Sequence, residues 1–255
     1  MSKIHKKYKS SIAPSIVLGA ALLFLWQVLS SSGIVPPYML PSPLSIVLAG
    51  IKDMPLLGVH LLQTLKEAAL GLGLALVVSF VLAVLMDINK FVKETITPFL
   101  TLTQTMPVIA LAPLLILWMG YGSAPKIALV FLTCFFPMTI GLLGAFSQAG
   151  EDELKLLKSM GAKHRELYRY IKLPQSLPAF FSALRISASY SIIGAVIAEW
   201  LGGDAGLGVY MIRVRKSYSF DKMFAAIILV SLLSLALIKV VELIERVAMP
   251  WKNDC

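Results

Sequence analysis

The chain has 255 residues, of which 58% are hydrophobic and only 15% are charged, and its mean hydropathy is +0.81. A soluble domain carries about 45–50% apolar residues, so this composition excludes a water-soluble globular protein and predicts an integral membrane protein. At about 20 apolar residues per spanning helix, the length allows about six spans and leaves almost no room for a soluble catalytic domain. The formal net charge of +9 fits basic loops on the cytoplasmic side of a membrane.

The first apolar run covers residues 12–29, behind a basic N-terminal segment and ahead of Ser30, Ser31, Ser32 and Gly33. A secretory signal is one interpretation, but the run has the length of a span, which favours an uncleaved first helix. Four prolines in residues 35–43 exclude a regular helix. Ser42 then predicts the cap of a short helix over residues 44–52. We predict an N-terminal unit over residues 1–60 and a core domain over residues 61–255.

Five further apolar runs follow the first one. They cover residues 61–86, 96–119, 126–146, 177–200 and 224–244, and because a spanning backbone must satisfy its hydrogen bonds internally, each predicts a membrane helix. In the second run, the pairs Ala69 with Gly73 and Gly71 with Ala75 predict close helix packing, either within the bundle or between two copies.

Two prolines interrupt the third run, where Pro107 follows Met106 and Pro113 lies two turns later. Each proline removes a helical hydrogen bond and should kink or break the helix. Such a break either lines a transport pathway or is a packing kink that neighbouring helices repair. We therefore name Met106, Pro107 and Pro113 as candidate pathway residues.

The distribution of basic residues predicts the topology. With a cytoplasmic N-terminus, 14 of the 23 Lys and Arg residues fall in inside loops and 7 fall outside or at outer span edges. This bias predicts that both termini are cytoplasmic. The four basic residues between Arg213 and Lys222 count against that orientation.

One long polar insertion covers residues 151–173. Its apolar residues recur at helical spacing on both sides of Gly161, which predicts two short helices separated by a glycine break. These apolar residues are Leu154, Leu157, Met160, Leu167, Tyr170 and Ile171. Periodicity alone leaves open whether the pair is a solvated hairpin or a docking surface for a cytoplasmic partner.

The insertion resembles a known family. Gly161, nine further residues, and then Ile171, Lys172, Leu173 and Pro174 match the Gly-x9-Ile-x-Leu-Pro core of the cytoplasmic loop in permease subunits of bacterial ABC importers. Residues 105–122 and 198–208 resemble the nitrate, sulfonate and taurine branch, which also includes riboflavin and thiamin-pyrimidine precursor permeases. One departure is that Lys155, Leu156 and Leu157 stand where the family has Glu-Ala-Ala.

The resemblance implies an all-α type I ABC importer permease with six spans and a coupling loop over residues 147–176. It implies a pair of cytoplasmic ATPases, an extracytoplasmic solute-binding protein, a permease homodimer and a bacterial inner or plasma membrane location. The residues expected to couple to the ATPase are Leu154, Leu157, Met160, Gly161, Ala162, Leu167, Ile171, Leu173 and Pro174. Selectivity would lie largely in the binding protein, so the solute is not predicted.

Several single residues near the fifth span have two interpretations each. Glu199 is either a pathway residue or an interfacial anchor beside Trp200. Gly206 and Gly208 form either a gate turn facing the pathway or a plain connection to a short helix over residues 210–218. Arg185 can snorkel to the cytoplasmic surface, so we expect it to have a structural role.

The cysteines and histidines offer no catalytic or redox motif. Cys134 and Cys255 have no paired spacing, and we expect Cys134 to be a packing residue. A membrane enzyme would need a nucleophile and a base at membrane depth, whereas His5, His60 and His164 lie at loop or span edges. The chain has no Gly-x4-Gly-Lys-Ser/Thr phosphate loop, so we expect it to bind no ATP and to hold no cofactor or metal.

Two other transport classes are alternatives to the permease. One is a vitamin-binding membrane subunit that uses a separate coupling protein, and the other is an ion-driven secondary transporter. The scarcity of charges inside the spans disfavours ion coupling, and the polar insertion disfavours both classes.

Overall fold

The computed structural model describes residues 12–33, 35, 36, 38–147 and 150–252, and every regular element within them is helical. The basic residues Lys3, Lys6, Lys7 and Lys9, as well as Cys255, lie outside the described residues. The helices are α1 (Ile12–Ser31), α2 (Pro43–Lys52), α3 (Met54–Ile88), α4 (Lys90–Thr105), α5 (Val108–Met119), α6 (Ser123–Ser147), α7 (Glu151–Ser159), α8 (His164–Leu167), α9 (Leu173–Gly202), α10 (Leu207–Lys216) and α11 (Phe220–Ala248). A π-helical turn, Tyr168–Lys172, joins α8 to α9.

Among the described residues, five helical segments are long and apolar enough to cross a membrane singly. They are α1, α3, α6, the continuous segment Arg165–Gly202 and α11. The third apolar run lies in α4 and α5, and the chain bends by 100° between these two helices. The all-helical membrane fold is therefore confirmed, with a sharply bent helix pair in place of one straight span.

The two prolines of the third apolar run have different effects on the helix. Met106 and Pro107 have extended backbone between α4 and α5, so the break predicted there is confirmed. At Pro113 the helix does not break, because α5 is continuous from Val108 to Met119. Its neighbour Ala112 is buried against α6 and α9, and a membrane helix tolerates a proline where neighbouring helices pack around it.

The core consists of α3, α6 and α9, which pack against one another along their length. A Cβ added at Gly71 would lie 2.5 Å from Val130 Cβ, and one at Gly141 would lie 2.7 Å from Ala183 Cβ. The packing predicted for Gly71 with Ala75 is thus confirmed. Ala69 and Gly73 lie on the exposed side of α3, so a contact between two copies remains the prediction for that pair.

Side-chain contacts define two ends of the bundle. Asp87 at the end of α3 contacts Lys172 just ahead of α9, whereas Thr64 near the start of α3 contacts Glu199 near the end of α9. We call the end that carries α7 and α8 the loop face, and the other end, which carries α10, the distal face.

The N-terminal elements lie at the edge of this core. Ser42 Oγ accepts the Ser45 N–H at 3.1 Å, which confirms the predicted cap of α2. Trp26 Nε1 donates to the Pro41 carbonyl at 3.1 Å and attaches α1 to the segment ahead of α2. Between Pro14 and Leu29, the apolar side chains of α1 other than Trp26 are exposed, as expected of a helix that faces lipid.

Candidate functional site

The polar insertion folds as the sequence predicts around Gly161. Helix α7 ends at Ser159, and Gly161 has a φ of +84°, a conformation that glycine adopts without strain. The Ala162 N–H donates to the Leu157 carbonyl and the Gly161 N–H donates to the Lys158 carbonyl, both at 3.0 Å. These two bonds form a Schellman motif, which fixes the direction in which the chain leaves α7.

The nine residues expected to couple to an ATPase have two different environments. Met160 is 74% exposed, and Leu154 and Leu157 are half-buried. Leu167 and Ile171, in contrast, are only 4% and 8% exposed. The first group is available to a partner, while the second group holds the loop against the bundle. The remaining members are Gly161, which is exposed, and Ala162, Leu173 and Pro174, which are half-buried.

Asp87 is a loop-face residue that the sequence reasoning missed. Its carboxylate accepts hydrogen bonds from Tyr168 Oη and from Lys172 Nζ. The Lys172 ammonium also lies 5.0 Å from the centre of the Tyr168 ring. These contacts attach the loop to the end of α3. The signal in the sequence was a lone acidic residue at the end of the second apolar run.

On the distal face, Glu199 is the centre of a buried polar network and is only 1% exposed. Its Oε1 accepts from Thr64 Oγ1, and its Oε2 accepts from the Gly208 N–H, both at 2.7 Å. The Leu207 N–H donates to Thr64 Oγ1 at 2.8 Å, and the Gly206 N–H donates to His60 Nδ1 at 3.0 Å. We call these six residues the Glu199 cluster. Burial rules out the interpretation of Glu199 as an interfacial anchor.

The Glu199 cluster holds the first turn of α10. The first N–H groups of a helix lack intrahelical acceptors and carry a partial positive charge, and here α3 and α9 supply the acceptors. Gly206 has a φ of +125°, and a Cβ there would lie 2.1 Å from the Glu199 carboxyl carbon. A Cβ at Gly208 would lie 2.3 Å from the Val196 carbonyl oxygen. Only glycine at both positions allows α10 to approach this closely.

A buried ion pair lies beside this cluster. Lys126 Nζ lies 3.0 Å from Glu67 Oε1, and the two side chains are 5% and 0% exposed. Gln63 Nε2 donates to the same Glu67 oxygen at 2.7 Å. The pair joins α3 to α6 near the distal face and leaves the Lys126 charge compensated.

Asp53 attaches α10 and α11 to the segment between α2 and α3. Asp53, between α2 and α3, lies 2.8 Å from Lys222 Nζ and accepts from Tyr210 Oη at 2.9 Å. The hydrogen bond from Lys222 holds the pKa of the Asp53 carboxyl below its usual value. Burial raises the pKa of Tyr210 above its usual value, so its hydroxyl remains a donor.

A cavity of about 340 Å³ lies beside the bend between α4 and α5. Its walls come from four helices, and its polar members are Thr103, Gln104, Thr133 and Tyr190. The remaining lining residues are apolar or glycine: Val108, Ile109, Leu129, Leu132, Phe136, Pro137, Ile193, Gly194 and Ile197.

The six candidate pathway residues fall into three places. Met106 and Pro107 connect Gln104 to Val108, both of which line the cavity. Glu199, Gly206 and Gly208 meet in the cluster on the distal face. Pro113 lies within α5 and belongs to neither the cavity wall nor the Glu199 cluster.

Two of the single-residue expectations are also resolved. Arg185 pairs with Glu245 of α11 at 2.7 Å, which agrees with the expected structural role. Cys134 is fully buried and its Sγ donates to the Ser187 carbonyl at 3.2 Å, which confirms a packing role.

Comparison with known proteins gives a consistent result. Residues 71–248 match the family described as "Binding-protein-dependent transport system inner membrane component". The chain is 35% identical to the formylaminopyrimidine transport permease protein ThiX of Halalkalibacterium halodurans, over 91% of this chain and 93% of that protein. It is 29% identical to the putative aliphatic sulfonates transport permease protein SsuC of Bacillus subtilis, over 94% and 87%. The fold also matches the MetNI methionine ABC transporter with a TM-score of 0.69 at 18% identity, over 77% of this chain and 97% of that one.

Proposed function

Because the chain belongs to the family of binding-protein-dependent transport system inner membrane components, it is the permease subunit of an ABC importer for a small solute, and we propose that α7 and α8 couple it to a cytoplasmic ATPase. The observation that carries this proposal is the Schellman-ended helix α7, which presents the exposed Met160 while Leu167 and Ile171 hold the loop to the bundle. Such a loop matches a docking element better than a solvated hairpin, because Leu167 and Ile171 are buried against the bundle while Met160 stays exposed.

In this proposal, the loop transmits force as a rigid unit. Asp87 ties the loop to α3, and the π-helical turn after α8 continues directly into α9. A closing movement of the ATPases would therefore tilt α3 and α9 together, and rigid tilting of packed helices is an established route to alternating access. The Glu199 cluster joins the other ends of the same two helices, so the tilt reaches the distal face.

The chain itself is proposed to bind no nucleotide and no other cofactor. Permeases of this family are generally non-catalytic, and the sequence has no phosphate loop. ATP would be bound and hydrolysed by a separate pair of ATPase subunits, and the free energy would enter through the loop face.

The assembly is proposed to be a permease homodimer with an extracytoplasmic solute-binding protein on the distal face. One copy leaves the cavity-lining face of α9 open, with Tyr190 and Ile193 44% and 46% exposed. A second copy would close that side of the pathway. The loop face and both termini are then cytoplasmic in a multi-pass cell-membrane protein.

Cysteine accessibility tests this orientation. In a background with Cys134→Ser and Cys255→Ser, we expect Lys158→Cys to react only with reagents that cross the membrane, and Lys216→Cys to react with impermeant reagents added outside. Both lysines are exposed. Lys172, which the sequence also places on the cytoplasmic side, is not used because it forms an ion pair with Asp87. Labelling of position 158 from outside would show that the topology is inverted.

The names of the relatives suggest two solute classes. ThiX is named for a formylaminopyrimidine and SsuC for aliphatic sulfonates. We propose that this chain imports a small solute of one of the classes transported in this branch. Those classes also include nitrate, taurine and riboflavin.

A further inference from the structure

Helix α10 presents a basic surface on the distal face. One side of the helix is buried, with Tyr210 and Val214 only 2% and 7% exposed. The opposite side carries Arg213, Arg215 and Lys216, which are all exposed. Because α10 contains no acidic residue, this side of the helix has a single sign of charge.

Neighbouring groups do not neutralise these three cations. Within the described residues, none of Arg213, Arg215 and Lys216 forms an ion pair. Arg213 Nη2 donates to the Asp204 backbone carbonyl at 2.9 Å, which is an uncharged acceptor. The three charges are therefore available to a partner outside this chain.

Membrane topology does not explain why the cations are there. Lys and Arg are enriched in the cytoplasmic loops of membrane proteins, whereas this surface lies on the face that the proposed function makes extracytoplasmic. The loop-face helix α7, in contrast, carries both signs of charge. Exposed cations of one sign on the external side, against the usual bias, indicate a partner of opposite charge.

The turn after α10 holds an aromatic ring in a strained position. The Ser219 N–H donates to the Val214 carbonyl at 2.9 Å, and the Tyr218 N–H donates to the Arg215 carbonyl at 3.1 Å, which forms a second Schellman motif. Tyr218 takes the place that glycine usually has in this motif, at a φ of +56°. It is the one non-glycine residue with a positive φ in the described part of the chain.

Packing does not explain why a tyrosine is kept there. A side chain in the left-handed conformation is unfavourable, and the Tyr218 side chain is 76% exposed, so it contributes little to the core. Strained residues that persist without a packing role are typical of functional surfaces. We call the exposed cations of α10 and this tyrosine the α10 surface, which consists of Arg213, Arg215, Lys216 and Tyr218.

Contacts along the whole helix hold this surface in place. The Glu199 cluster fixes the first turn of α10, and Tyr210 Oη donates to Asp53 at 2.9 Å in the middle of the helix. Lys222 lies 2.8 Å from the same Asp53 carboxylate, so this carboxylate is already paired. A surface that is fixed before binding loses little conformational entropy when a partner docks.

We propose that the α10 surface docks an acidic surface of the solute-binding protein. This inference rests on the proposed function. Exposed cations attract an acidic partner over a distance and raise its association rate, which suits a partner that must dock and leave again in each transport cycle. Arginine and tyrosine are also frequent among the residues that dominate binding energy in protein interfaces.

Anionic lipid headgroups fit this surface less well. The negative surface potential of a cell membrane belongs to the cytoplasmic leaflet, whereas the α10 surface faces the other side. Mobile headgroups can adapt to any arrangement of cations, so they gain little from a rigid helix and a strained turn. Lipid binding is nevertheless one of the outcomes that the test separates.

The test measures docking through stimulation of the ATPase. The permease–ATPase complex is placed in lipid nanodiscs, which leave both faces accessible, and the purified solute-binding protein of the importer is titrated. The double variant Arg215→Gln with Lys216→Gln should raise the concentration for half-maximal stimulation at least about fivefold at low salt, because two attracting charges are lost. The difference should shrink at 1 M salt, where the screening length is only about 3 Å.

Lys52→Gln with Lys66→Gln is the matched control. Both lysines are exposed, and they lie near Asp53 and Thr64 of the distal face but outside the α10 surface. This variant loses the same two charges as the first one. It should reach half-maximal stimulation at the same concentration as the unmodified complex.

Tyr218→Gly separates docking from folding. Glycine adopts the left-handed conformation without strain, so the thermal unfolding midpoint of the permease should not fall. Loss of the ring should still raise the concentration for half-maximal stimulation at least about threefold. A lower unfolding midpoint with unchanged stimulation would contradict the assignment of Tyr218 to the docking surface.

Three outcomes would overturn the inference as a whole. They are unchanged stimulation in the Arg215 and Lys216 double variant, an equal loss in the Lys52 and Lys66 control, and a loss that occurs only in nanodiscs containing phosphatidylglycerol and not in phosphatidylcholine. The last result would show that the surface binds lipid headgroups. Co-purification of the ATPase is measured in parallel, because its failure would contradict the proposed function, whereas an intact complex that fails these tests contradicts this inference alone.

Discussion

Replacing Glu199 by alanine is expected to lower coupled uptake at least about tenfold while the helices still insert in the membrane. The Glu199 carboxylate accepts from Thr64 Oγ1 and from the Gly208 N–H, and both donors are buried. An unsatisfied buried donor costs about 1–3 kcal/mol, so α10 should lose its fixed position on α3 and α9. The measurements are uptake in liposomes and the thermal unfolding midpoint, which should fall.

Two further variants make the Glu199 experiment specific. Glu199→Gln retains one acceptor oxygen and should have an intermediate effect. Trp200→Phe alters the next residue, which is 46% exposed, and should have little effect. Unmodified uptake and an unchanged unfolding midpoint in Glu199→Ala would show that the Glu199 cluster does not hold α10.

Replacing Gly161 by valine is expected to uncouple transport and weaken ATPase co-purification. A β-branched residue in the left-handed conformation at φ +84° costs about 1–2 kcal/mol locally. No atom lies within 4 Å of a Cβ built at Gly161, so the cost comes from the backbone and not from crowding. The Schellman motif would open, and the chain would leave α7 in a different direction.

Gly161→Asn is the matched control for this experiment, because asparagine tolerates the left-handed conformation better than valine does. We expect Gly161→Asn to retain most of the ATPase co-purification and of the uptake. The proposed permease dimer should persist in both variants, since such a dimer depends on helix packing within the bilayer. Equal ATPase co-purification and coupled uptake in the valine variant would indicate that the loop is only a solvated hairpin.

Local features of the fold could be predicted from the sequence because they depend on short-range physics. Ser42 caps α2, Gly161 ends α7, and Pro107 breaks the third apolar run, all as expected. Pro113 shows the limit of this reasoning. Whether such a proline breaks a membrane helix depends on how neighbouring helices pack around it, as α6 and α9 pack around Ala112, and no local pattern reveals that packing.

The long-range contacts of the candidate site could not be predicted in the same way. Glu199 was identified as a candidate, but its partner Thr64 lies 135 residues away in the chain. Asp87 was missed because its role arises only when α3 ends beside Tyr168 and Lys172. Helical periodicity placed Leu154 and Leu167 in one apolar pattern, whereas burial of Leu167 depends on how the loop folds back on the bundle.

Site-specific photo-crosslinking at the loop face is the most direct test of the coupling proposal. A photoreactive amino acid replaces Met160, which is 74% exposed, and a second variant carries it at Tyr218 on the distal face, which is 76% exposed. In the intact importer, position 160 should crosslink to the ATPase subunit and position 218 should not. An ATPase adduct from position 218, or none from position 160 in an importer that still transports, would contradict the assignment of α7 and α8 as the coupling element.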